Sequence, residues 1–294
     1  ILLMSAAMAG FAVEDALIKA ASVTVPVGQV IFLIALAGMT GFALWARATG
    51  ARLWQPGAFA APVVGRTLAE MVGTYGIVTA LALAPLSTVT AIIQAAPIVV
   101  VAAAALLLRE QVGWRRWSAV GTGFLGVLLI LRPGAAGFDP DALWAVMGVA
   151  GLAARDICAR RMDPALPTSV VGSWGYAGVL ILSVAMTAGA GGPVWPALPA
   201  ALCIAGAAAI DLVAYWAIIE ATRAGDVSII APFRYSRLIF GVGLGVVAFG
   251  ERLDGAMLAG ALLVIGSGLY TLYRERLRKV EGPATAAAVT ETPV

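Results

Sequence analysis

Two arginines, Arg234 and Arg237, stand three residues apart near the middle of an apolar run that reads DVSIIAPFRYSRLIFGVGLGVVAFGERL from Asp226 to Leu253. At a rise of about 1.5 Å per residue, positions 227–249 cover the roughly 30 Å hydrocarbon core of a bilayer. A guanidinium there costs about 2.5–3.5 kcal/mol on insertion scales, so it is expected to face a bundle interior or a wet cavity. The i, i+3 spacing puts both on one helix face. With the phenol of Tyr235 they could hold a carboxylate or phosphate through forked donors in a low dielectric. The competing use is an ion pair with Asp211 or Glu220 on the preceding run.

Other charged side chains fall inside apolar runs at helical spacing. Arg66 and Glu70 stand at i, i+4 with Thr74 one turn further on. Asp15 with Lys19 and Asp156 with Arg160 repeat an acid-to-base i, i+4 spacing, a pattern that can also serve only to stabilise the helices. Glu14 and Arg155 precede the two aspartates with opposite charge, which suits recognition of opposite ends of a substrate. Tyr75, Gln94, Trp174, Tyr176 and Tyr215 can stack or hydrogen-bond, although aromatic residues in such runs more often pack or anchor. The expected substrate-binding set is Arg234, Arg237, Tyr235, Arg66, Glu70, Arg155, Asp156, Glu14, Tyr75, Gln94, Asp211 and Tyr215. Glu110 and Glu251 end two of the runs and are placed to cap or gate them.

The available chemistry is narrow. The chain has no His, which removes the commonest metal ligand and the usual neutral-pH proton carrier. Cys158 and Cys203 lack the spacing of a disulfide or metal site, and no GxxxxGK[ST] loop is present for ATP. No catalytic residue, metal or cofactor is expected. A secondary active or facilitative transporter of a small polar or amphipathic metabolite, amino-acid-like and zwitterionic or anionic, stands ahead of a scaffold or assembly factor without transport and of a membrane-embedded enzyme. Its coupling could use protons on Glu14, Asp15, Glu70 or Asp156, or substrate exchange, or facilitated diffusion.

The elements that must position these groups follow from composition. Of 294 residues 61% are hydrophobic and 12% charged, against about 25% charged in soluble domains. This is an all-α integral membrane protein. Apolar runs of helical length, bounded by Pro, Gly or charge, predict about ten spans near 2–21, 28–46, 58–82, 87–108, 116–131, 142–161, 169–188, 199–221, 227–249 and 255–273. With the N-terminus inside, twelve Lys and Arg lie on the inner side and only Arg132 and Arg252 on the outer, a strong positive-inside bias. The net charge of +3 therefore reads as membrane orientation and not as nucleic-acid binding. Expected partners are a small-molecule substrate, the lipid bilayer, protons as coupling ion and a second copy in a homodimer.

A shift of 141 residues superimposes Asp15 on Asp156, Lys19 on Arg160, Glu70 on Asp211, Ser87 on Ser228 and Glu110 on Glu251. Each repeat holds five spans, and an odd number forces the second to enter the membrane upside down, with a substrate site near the midplane between the halves. The expected units are 1–137, 138–276 and a disordered cytoplasmic tail 277–294. Arg132 to Asp141 (RPGAAGFDPD) reads as the linker between the repeats.

The segments AIIQAAPIVVVAAAALLLREQVGWRRWSAVGTGFLGVLLILRPG and APFRYSRLIFGVGLGVVAFGERLDGAMLAGALLVIGSGLYTL, with the early EDALIK and VPVGQ, resemble the drug/metabolite transporter superfamily in its ten-helix EamA-type branch. The paired endings Leu108-Arg109-Glu110 and Phe249-Gly250-Glu251 are the most specific part. The resemblance implies two inverted five-helix repeats around a central cavity, working by alternating access in a bacterial inner membrane. Many such proteins carry an Arg midway along the second span, where this chain has Phe32-Leu33-Ile34.

Overall fold

A computed structural model describes residues 1–109, 113–135, 138–224 and 231–290, with backbone alone for 219, 220, 222–224, 231 and 275–290. Among the described residues all regular structure is helical. The helices are α1 (Leu2–Ala21), α2 (Val27–Ala48), α3 (Ala61–Leu83), α4 (Leu86–Ile93), α5 (Ala96–Leu107) and α6 (Trp114–Leu131). They continue with α7 (Leu143–Ala159), α8 (Thr168–Gly189), α9 (Leu198–Ala224), α10 (Ser236–Phe249) and α11 (Gly255–Thr290). Short 3-10 turns, Pro140–Ala142 and Ala231–Tyr235, lead into α7 and α10.

Proline sets several helix starts. Pro26, Pro85 and Pro167 are the N-caps of α2, α4 and α8, and Pro sits in the first turn of α3 and α5, where its missing N–H costs no hydrogen bond. The run expected as one span over 87–108 is broken. α4 stops at Ile93, Gln94 and Ala95 form a turn, and Pro97 opens α5. In the run containing Arg234 the described part opens with the 3-10 turn Ala231–Tyr235 and continues directly as α10, while Asp226 to Ile230 lie outside the described residues. α11 is continuous to Thr290, past residue 277 where the sequence suggests a tail without fixed structure.

Helix bounds repeat at the 141-residue shift. α2 at Val27–Ala48 maps onto α8 at Thr168–Gly189, α1 and α7 share a start, α3 and α9 an end, and α6 and α11 a start. Gly50 and Gly191, at equivalent places just past α2 and α8, both take positive φ, 72° and 91°.

The principal packing pairs are α3 with α7, α1 with α9, α2 with α8 and α6 with α11. The α3–α7 crossing brings backbone against backbone. A Cβ at Gly76 would lie 2.5 Å from the Gly148 nitrogen and 2.6 Å from the Trp144 carbonyl oxygen. Membrane helices associate by such close packing at small residues, since lipid provides no hydrophobic drive between them. Leu81, Leu86, Val89, Ile92 and Val264 are fully buried within the bundle, while Ile181, Leu202, Val213, Ile239, Val247 and Leu262 are exposed on its outside. So much apolar surface facing outward is what a bilayer covers. Six stretches among the described residues are long and apolar enough to cross one: Val27–Ala48, Leu86–Leu107, Pro140–Ala159, Thr168–Gly189, Leu198–Ile218 and Gly255–Arg274.

Candidate functional site

A cavity with about 700 Å³ of atom-free space, part of it continuous with the outside, opens between α1, α2, α3, α7, α8 and α9. Its polar lining is Glu14, Arg66, Glu70, Thr74, Arg155, Tyr176, Asp211 and Tyr215. Ile18, Ile31, Ile34, Ala35, Val78 and Val179 supply an apolar wall. Equivalent positions of the two repeats line it together: Glu14 with Arg155, Ile31 with Gly172, Ile34 with Gly175, Ala35 with Tyr176, Glu70 with Asp211 and Thr74 with Tyr215.

The i, i+4 spacing on α3 does what it predicts. The Arg66 guanidinium meets Glu70 at 3.0 Å, and Glu70 also accepts from Arg155 at 3.0 Å. Arg155 in turn contacts Asp156 at 2.9 Å, so a chain of alternating charge links α3 to α7. Arg66 Nη1 is buried and has no hydrogen-bond partner among the described residues. It sits where Gly175 has no side chain, since a Cβ there would come within 2.8 Å of it.

Asp211 accepts a 2.6 Å hydrogen bond from the Tyr176 hydroxyl, and Tyr176 and Tyr215 both pack on Phe42, with ring centroids 5.6 and 5.1 Å away. Glu14 has no basic partner within 4 Å among the described residues. The lining therefore holds three carboxylates, Glu14, Glu70 and Asp211, against two guanidiniums, Arg66 and Arg155. In a low-dielectric cavity that imbalance favours a positively charged group beside Glu14 and Asp211, while the free Arg66 donor favours an acceptor. No group of His, Cys, Asp and Glu able to hold a metal ion occurs among the described residues.

Of the twelve expected site residues, Glu14, Arg66, Glu70, Arg155, Asp211 and Tyr215 line this cavity. Asp156 stands behind Arg155 with its side chain 44% exposed. Tyr75 is occupied edge-on against Trp144 at 5.3 Å. Gln94 is buried and donates to the Arg234 carbonyl at 3.3 Å, joining the break between α4 and α5 to the 3-10 turn before α10. The Arg234 side chain is exposed and, among the described residues, has no ion pair. Tyr235 is buried against Gly268, its hydroxyl without a partner among the described residues.

Arg237 does not line the cavity. It donates to both oxygens of Asp15 at 2.7 and 2.8 Å, with Nε at 3.1 Å from the same carboxylate, and lies over the Phe11 ring at 5.3 Å. The ion pair weighed against a substrate role thus forms, with α1 as partner in place of Asp211; the Glu220 side chain lies outside the described residues. A bidentate fork between facing helices holds Asp15 better than a single lysine one turn away, so the expected Asp15–Lys19 pair does not form. Lys19 instead donates to the carbonyls of Leu81 at 3.2 Å and Ala84 at 2.5 Å, at the C-terminus of α3.

Tyr176 and the apolar wall are the parts that spacing could not select. The partner of Tyr176 is 35 residues away, and nothing local marks it among the aromatic residues. Glu251 caps a helix, as its place at the end of a run suggests, but the helix belongs to the other half. It accepts from Leu86 N at 2.5 Å, Ser87 N at 2.9 Å and the Ser87 hydroxyl. The repeat counterparts Glu110 and Ser228 lie outside the described residues.

Residues 1–132 match the EamA-like transporter family. The chain is 28% identical over 205 residues to an S-adenosylmethionine uptake transporter of Rickettsia bellii, covering 69% of this chain and 68% of that one. It is 27% identical over 225 residues to a riboflavin transporter of Rhizobium johnstonii, covering 74% and 72%. A solved crystal structure superposes with a TM-score of 0.58 at 22% identity, over 91% of this chain and 98% of its own, so the likeness extends through both halves of the fold. An apolar helical bundle around a charged cavity, a first half that matches the EamA-like transporter family and relatives named as metabolite transporters agree: the chain is similar to proteins of the drug/metabolite transporter superfamily, and these likenesses point to a transporter rather than an enzyme.

Proposed function

We propose that the chain moves a small amphipathic metabolite, zwitterionic or amino-acid-like, across a bacterial inner membrane by alternating access between two inverted five-span halves. The observation that carries this reading is the cavity itself, lined by equivalent positions of the two repeats. The packing pairs support it too. Exchanging the halves turns α3 against α7 into α9 against α1 and leaves α2 against α8 and α6 against α11 unchanged, as a twofold relation requires. Ten crossings follow if α4 and α5 count as one interrupted span, and the positive-inside bias supports a cytoplasmic start for the first and a cytoplasmic end for the last. The halves are residues 1–137 and 138–276.

Arg66 would receive a carboxylate or carbonyl, Glu14 and Asp211 an ammonium or other cationic centre, and the tyrosines and apolar wall the body of the solute. S-adenosylmethionine and riboflavin, the cargoes named for relatives, both combine polar groups with a large ring system. Proton coupling would run through Glu14, the lining carboxylate that has neither a basic partner nor a hydrogen bond among the described residues, whereas Asp211, also without a basic partner, accepts from Tyr176.

Uptake and counterflow in proteoliposomes test this, using labelled amino acids, S-adenosylmethionine and riboflavin with and without a pH gradient. Wild type should move at least one solute. Arg66→Ala and Glu14→Gln should each lower Vmax/KM by about tenfold or more, equivalent to about 1.4 kcal/mol. Movement of no solute under any gradient, or both variants at wild-type rates, overturns the reading.

A further inference from the structure

The corner between α3 and α4 is gripped by charges from two other helices. α4 begins after Pro85 with no capping side chain of its own, and its first N–H groups are satisfied by Glu251, which follows α10 in the other half of the chain. The last carbonyls of α3 are satisfied by Lys19 of α1. Each charge has the sign its helix end favours, anion at an N-terminus and cation at a C-terminus. Lys19 also lies over the Phe249 ring at 5.6 Å, so α1, the end of α10 and the α3–α4 corner are tied together.

The corner lies at one end of the cavity. Ile18, next to Lys19, and Val78, one turn before Leu81, both line it, while Leu86, Ser87, Val89 and Thr90 beyond them are buried. Gly245 makes the approach possible: a Cβ there would stand 2.5 Å from Glu251 Oε2 and 2.6 Å from the Ser87 hydroxyl.

We infer that Glu251 is the positioning residue that holds this end of the cavity shut, by capping α4 from the opposite half. The inference rests on the alternating-access reading above. These hydrogen bonds join residues 164 and 165 apart in sequence, so the halves cannot part here without breaking them. Entering water replaces them at once when they do, which makes the contact one that can open and remake in each cycle. Without the carboxylate the closed end loses stabilisation and the population moves toward opening on this face.

Thiol labelling tests the inference without any substrate. Cys158→Ala and Cys203→Ala remove both native thiols, and Val78→Cys places a reporter in the cavity wall. The protein is reconstituted in proteoliposomes, and a membrane-impermeant thiosulfonate is added outside or trapped inside. With Glu251 intact the reporter should react from one face only. Glu251→Ala should raise the initial rate from the silent face by about tenfold or more. Gly245→Ala, which keeps the carboxylate but wedges it away, should act in the same direction and serves alone if Glu251→Ala does not fold. Ser87→Ala, which retains both backbone donors, should have a smaller effect. Unchanged rates from both faces in folded Glu251→Ala and Gly245→Ala protein, or equal labelling from both faces before either change, overturn it. Failure to find a transported solute would count against the proposed function and leave this result readable by itself.

Discussion

An arginine at membrane depth can recover its lost hydration from an acid of the protein or keep donors free for something else, and Arg237 and Arg66 divide these roles. Arg237 spends its fork on Asp15, whose side chain is 4% exposed. Arg237→Ala should therefore destabilise the protein by about 3–5 kcal/mol, because a buried carboxylate is left unpaired. The double change Arg237→Leu with Asp15→Leu should recover most of that loss, and thermal unfolding in detergent measures both. Arg66, bonded to Glu70 through one nitrogen with another left free, is the one whose loss should fall on transport. The i, i+4 pair on α3 was legible because both partners lie on one helix. Which acid Arg237 takes was not, since Asp15 is 222 residues away and the choice is made by helix packing.

At the scale of elements, the seam between α3 and α7 has no spare volume. A Cβ at Gly148 would lie 2.7 Å from the Ile77 nitrogen, and Gly73 and Gly151 meet one turn along. Gly76→Val should cost about 1–3 kcal/mol or more through overpacking, seen as a lowered melting temperature in detergent, while the same change at Gly121, which has open space, should cost far less. Outside the spans, a hydrogen bond from Arg132 holds the Asp254 carboxyl below its usual value of 3.8, helped by the Met257 N–H that Asp254 caps at the start of α11. A lowered value means that the contact stabilises above about pH 4 and is lost as pH falls through it. Asp254→Ala should cost about 1 kcal/mol at pH 7, as for other helix caps, and progressively less in unfolding measured below pH 3.8. Most helices were legible from hydropathy and proline, and six of the expected runs are long and apolar enough to cross a membrane. The break at Gln94 and Ala95 was less legible, because Pro97 bends some helices and interrupts others according to what stands ready to satisfy the freed backbone.

At the scale of the whole molecule, the 141-residue repeat was legible in sparse charged residues and reappears in helix bounds that no charge dictates. Thr49 and Ala190 are equivalent exposed positions after α2 and α8. If the second half is inverted, cysteines introduced singly at these two sites will react with an impermeant reagent from opposite faces of the membrane. Reaction from the same face would sink the inversion. The cavity was only half legible, because its apolar wall uses the same residue types as the lipid-facing surface, and only the fold separates Ile31 from Ile181. The bare backbone contact at Gly76 and Gly148 carries a practical corollary for anyone retuning this protein toward a new cargo. Variation is better placed at Ile31, Ile34, Ala35 and Val179, which border the room offered to a guest as well as packing in the core. A library that strays onto the glycines will mostly return proteins that never assemble, and their silence would be mistaken for a failure of recognition.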